Sequence, residues 1–195
     1  MNTFTETEQK TTRHPVDINN SIQKGKLVYS SGYGIVFDYF FSYFVAILVI
    51  ALISVPTFFS KVVQIGYMPR GVIVLVVLAD IWMIANLVHL NTLVKISGKQ
   101  KEVNKKDILI ALADFYKLDN LITGADIIQD EKLSMPGGRV ITCLFDDNAV
   151  YINKTTLIKN DGLSPFSGLF NYYRCRQIAK NFTLLQQGLK PEKPF

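Results

Sequence analysis

VLVVLADIWMIANLVHL, residues 74–90, decides how this chain is read: it is apolar enough for a membrane-spanning helix, yet it holds Asp80 near its middle. It lies in a longer run, Gly71 to Val94, of 24 residues in which Asp80 is the only formal charge. A second run, Tyr39 to Ser60, has 22 residues and no charge. Both exceed the roughly 18 to 20 apolar residues that cross a hydrocarbon core. The expected architecture is therefore a membrane protein: a two-helix transmembrane hairpin followed by a small cytosolic α+β domain of helix, antiparallel β-meander and helix.

Residues 1–32 read as a polar, mostly disordered arm, 33–60 as the first span and 61–70 as an external connector. Residues 71–94 form the second span, 95–105 a basic linker, 106–188 the cytosolic domain and 189–195 a tail. The polar residues ahead of the first run argue against a cleaved leader and for an anchor. Lys24, Lys26, Lys95, Lys99, Lys101, Lys105 and Lys106 flank the spans on one side, against Lys61 and Arg70 in the connector. The positive-inside rule then expects a two-pass protein of the plasma or inner membrane with both termini cytoplasmic.

Asp80 sits about nine residues, or roughly 13 Å of helix, from the outer end of its span. An ionised aspartate near a bilayer centre costs around 3 kcal/mol, so a polar partner is expected. Ser54 falls at a similar depth on the first span. Asn91 shares the Asp80 face three turns away, and Asn86 projects elsewhere. Self-association that encloses Asp80, Asn86 and Asn91 would satisfy these groups together, which makes a homo-oligomer the expected state.

Beyond the linker the residue pattern changes. Ile108, Leu112, Phe115 and Tyr116 recur at helical spacing. Short apolar runs follow at 125–134, 139–145 and 149–153, separated by Pro136-Gly137-Gly138 and Asp146-Asp147-Asn148, with a further extended run at 156–159. RVITCLF, residues 139–145, is apolar on both faces, as a central strand covered on each side would be. The last helix presents Cys175, Ile178, Ala179, Phe182 and Leu185 as one stripe and should end in a left-handed cap at Gly188, with Pro191 beyond.

The only histidines are His14 and His89, so residues 106–188 contain none, which removes histidine-based nucleophile and metal sites from that domain. Cys143 and Cys175 are too far apart for a dithiol motif and are expected to be reduced. No phosphate-cradling glycine loop is present, and Asp146-Asp147 is explained by its turn. No cofactor and no metal are expected. The net charge of +5 has no arginine-rich helix or aromatic RNA-binding motif behind it, so nucleic acid is not an expected partner.

Arg174, Arg176 and Lys180 beside the last apolar stripe form a candidate strip for anions or lipid headgroups. The leading functional expectation is a membrane-anchored, non-catalytic binding or adaptor protein that contacts the bilayer and a cytosolic protein or small anionic ligand. A regulated pore, with the cytosolic domain as sensor, is the alternative. A membrane-surface enzyme ranks third.

Overall fold

Alternation of β-branched residues with turn-forming pairs builds most of the sheet. The computed structural model describes residues 15–30, 43, 44, 48, 70–132, 138–158 and 163–191. In chain order its elements are α1 (Ile18–Lys24), α2 (Arg70–His89), β1 (Val94–Ser97), α3 (Lys101–Ala113), β2 (Leu121–Thr123), β3 (Ile127–Lys132), β4 (Gly138–Asp146), β5 (Ala149–Leu157) and α4 (Gly168–Gln186). Strands β2 to β5 form a meander, and β1 adds to its β5 edge to complete a five-stranded antiparallel sheet of order β1-β5-β4-β3-β2. Asp146 makes the β4–β5 turn by accepting the Asp147 amide at 2.9 Å, as its side-chain chemistry favours.

Helices α3 and α4 cover one sheet face. Ile108, Ala111 and Leu112 of α3 and Cys175, Ile178 and Phe182 of α4 meet Ile128, Ile141, Cys143, Phe145, Val150, Ile152 and Ile96 of the strands. Central β4 is buried on both faces from Val140 to Phe145. On its other side Leu144 and Tyr151 pack with Leu27, Ile18 and Ile22. Residues 15–30, read from sequence as part of a loose arm, are thus ordered against the sheet. Ser21, fully buried, donates to the Asp17 carbonyl at 2.6 Å and accepts the Val28 amide at 2.8 Å. The same face carries a buried polar row, Gln129, Thr142 and Asn153, in register across three strands.

Among the described residues no helix is long and apolar enough to cross a membrane. This overturns the expected transmembrane hairpin and the two-pass placement in a plasma or inner membrane with both termini cytoplasmic. The physical reason lies in what ends the run 71–94. Helix α2 stops at His89, Leu90 and Leu93 are buried, and Val94 opens β1, paired with Ile152. That part of the run is apolar because it enters a protein core. The segment read as a basic linker, 95–105, is likewise the rest of β1 and the start of α3. Of the expected first span only Tyr43, Phe44 and Leu48 are described; Ser54 and the connector up to residue 69 lie outside the described residues.

Candidate functional site

The C-terminal half of α2 lies across the N-terminus of α4, and the sequence supplies both parts of that junction. Gly168 allows the close approach: a Cβ there would fall 2.0 Å from the Asn86 carbonyl oxygen and 2.8 Å from the Leu90 nitrogen. Asn86 then serves the helix end. Its Oδ1 accepts the Leu169 amide at 3.1 Å, and its Nδ2 donates to the Trp82 carbonyl at 2.9 Å. Ser167, the residue at the N-cap position, makes no side-chain capping bond, so Asn86 from another helix satisfies one of the amides left open there. His89 stacks on Tyr172 with ring centroids 4.3 Å apart, one turn further along the same contact.

Beside this junction lies a cleft of about 450 Å³ lined by Trp82, Asn86, Phe166, Leu169, Phe170 and Tyr173. Its volume is in the range of ligand sites, generally ~300–1,000 Å³. Trp82 and Phe166 stack at 6.5 Å across one wall, and both remain exposed, as do Phe170 and Tyr173. From Trp82 the apolar surface continues along α2 through Leu78, Ile81, Leu75, Val77 and Val74, all exposed.

Electrostatics differ on the α4 side. Lys154 of β5 is only 9% exposed, and its Nζ donates to Asn171 Oδ1 at 2.6 Å. Asn171 in turn bonds Thr156 and Ser167. The Lys154 ammonium lies 5.7 Å, and the Arg174 guanidinium carbon 5.3 Å, from the centre of the Phe170 ring, both within cation–π range. Burial draws the Lys154 pKa below that of an ordinary lysine. Arg139 is matched differently, by Asp130 at 2.9 Å.

The structure separates the residues that sequence grouped. Asn86 is fully buried and caps α4. Asn91 lies in the loop after α2, where its carbonyl accepts the Leu27 amide at 2.8 Å. Asp80 is half-buried, with one carboxylate oxygen out of solvent, one turn before the buried Met83 on α2. Arg174 is half-buried beside the cleft, donating to Gln177 Oε1 at 2.9 Å, while Arg176 and Lys180 are exposed further along α4. Sequence reasoning passed over Trp82, Phe166, Phe170, Tyr173 and Lys154. The aromatic density of FSGLFNYY, residues 166–173, was the available signal.

Comparison with protein-family models, with known proteins and with solved structures gives no match to this chain. Function is read from the chemistry of the cleft.

Proposed function

We propose that this protein is a non-catalytic binding or adaptor protein whose α+β domain holds a segment of a partner protein in the cleft between α2 and α4. One observation carries the reading: four aromatic side chains, Trp82, Phe166, Phe170 and Tyr173, stay solvent-exposed around a single concavity that opens onto an apolar helix face. Scattered exposed apolar residues need no explanation, but a contiguous patch of this kind is a recognised mark of an interaction site. Tryptophan and tyrosine are the side chains that most often dominate binding energy at such sites. The extended apolar run along α2 suits a polypeptide segment better than a compact small molecule, which would leave that run uncovered.

A random dodecapeptide library displayed on phage and selected on the immobilised full-length chain tests this. Clones should be enriched on the native chain and lost on Trp82→Ala and Tyr173→Ala, two exposed substitutions that leave the core intact. Equal recovery on native and variant chains would place binding elsewhere and overturn the proposal. Self-association by sedimentation that is abolished by Tyr173→Ala, with no peptide enriched, would give the cleft to a second copy of this chain and overturn it too.

A further inference from the structure

The cleft has a polarity along α4. Its outward face begins with Phe170 and Tyr173 and passes within three turns to Arg176 and Lys180, so the exposed surface changes from aromatic to basic along one helix. At the aromatic end Lys154 and Arg174 both stand over the Phe170 ring. Among the described residues neither forms an ion pair: the pairs present are Lys101–Asp126, Lys105–Glu102, Lys132–Asp119 and Arg139–Asp130. A buried ammonium held by an amide oxygen and the face of an aromatic ring has its hydrogen bond partly met but its charge uncompensated. Charge left unmatched beneath an apolar wall acts at reduced screening, because the medium around it is less polar than water.

From this arrangement we propose that the segment bound in the cleft is acidic: an aromatic or large aliphatic anchor that enters between Trp82 and Phe170, flanked by carboxylates that meet Arg174 and then Arg176 and Lys180. The inference rests on the reading of the cleft as a protein-docking site and specifies what that site selects. Complementary charge fixes the direction in which the segment lies, with its acidic end towards the C-terminus of α4. It also favours encounter with acidic partners and disfavours basic ones. Lys154 does not need to touch the segment; it raises the potential at Phe170 from below, and Arg174 makes the direct contact.

The peptide selection described above distinguishes the two proposals. Enriched sequences should combine one or two aromatic or aliphatic anchors with a net negative flank. A synthetic peptide of the leading sequence should bind the full chain at least about tenfold more tightly than its Glu→Gln, Asp→Asn counterpart at low salt, and the advantage should shrink as the salt is raised. Arg174→Gln combined with Arg176→Gln should remove most of that ratio, read as the charged peptide's affinity over the neutral peptide's on the same variant. Lys154→Met should lower it further. Enrichment of neutral or basic sequences that still depend on Tyr173 would overturn the acidic inference and leave the docking site standing. No Tyr173-dependent enrichment at all would overturn both.

Discussion

The side chain of Asn86 on α2 closes the N-terminus of α4 through the Leu169 amide, 83 residues away in sequence. A residue that reads as a polar flaw in an apolar helix is a cap placed from outside the helix it serves. With both amide groups of its side chain engaged and 1% of its surface exposed, Asn86 fixes where the two walls of the cleft meet.

Removing that cap should be costly. Asn86→Ala is expected to lose about 1–2 kcal/mol of stability, the range for deleting a helix cap. Gly168→Ala forces a methyl group onto the Asn86 carbonyl oxygen, where 2.0 Å is available, and should cost about 3 kcal/mol. The methyl group would push α2 away from α4 and so also open the Asn86–Leu169 bond, so the double variant should lose less than the sum. Urea denaturation of the three variants measures each quantity; strict additivity would mean that the two residues do not share a contact.

Asp130 should be the most sensitive carboxylate in the sheet. It is 1% exposed at its side chain, pairs with Arg139 at 2.9 Å and also accepts the Asp119 and Asn120 amides at 2.9 and 3.2 Å. Asp130→Ala strands a largely buried guanidinium and two amides, a loss of about 3–5 kcal/mol. Arg139→Met should cost less, because the two amides still hold the carboxylate. Chemical denaturation that ranks the pair in the opposite order would show that the guanidinium, rather than the amides, is the main support of this corner.

The meander and the last helix were readable because local chemistry and tertiary structure agree there. RVITCLF is apolar on both faces and is buried on both, and Gly188 ends α4 with φ of 74°, a conformation that glycine adopts without strain. The run 71–94 misled because hydropathy responds to apolar character alone. Leu90 and Leu93 are apolar for burial in the domain, whereas Val74, Leu75 and Leu78 are apolar on an exposed face. Nothing local separates the two kinds. Lys154 was illegible as a site residue, and Asn86, singled out as a polar group of the apolar run, could not be read as a cap, because their partners, Asn171 and Leu169, come from a distant helix. The ordering of 15–30 was hidden for the same reason: Leu27 and Ile22 are sparse in sequence and find their neighbours, Leu144 and Tyr151, only in the fold.

Alkaline pH should unfold this protein through its buried acids. Burial pushes the Cys175 thiol from 9.0 up to about 12 and the Tyr116 hydroxyl from 10.0 up to about 12, and it raises Cys143 as well. A group whose folded pKa is raised contributes stability that is intact below its unfolded pKa and is lost as pH climbs towards the folded one. Stability should therefore fall from about pH 9 towards pH 12. Lys154, whose folded pKa is lowered, acts with the opposite sign: its penalty is greatest below the folded pKa and is relieved as pH rises towards 10.5. Cys175→Ala should flatten the alkaline loss and Lys154→Met should steepen it, as read by thermal melts across the pH series.

Lys154→Met should also leave the fold intact at neutral pH. The methionine fills similar volume, an uncompensated buried charge is removed, and Asn171 keeps its bonds to Thr156 and Ser167. A melting temperature equal to or above that of the native chain is expected. A large drop would show that the Lys154–Asn171 bond is itself a main support of the β5–α4 contact.

Trp82 is the single tryptophan of the chain and lines the cleft, so its emission reports occupancy of the proposed site alone. The decisive measurement is a titration of the full-length chain with a selected acidic peptide lacking tryptophan, followed by Trp82 fluorescence and, in parallel, by calorimetry. Occupancy of the cleft should give a saturable blue shift with the same dissociation constant by both methods, lost in Tyr173→Ala. Heat of binding with no change in Trp82 emission would contradict the cleft as the partner-binding site.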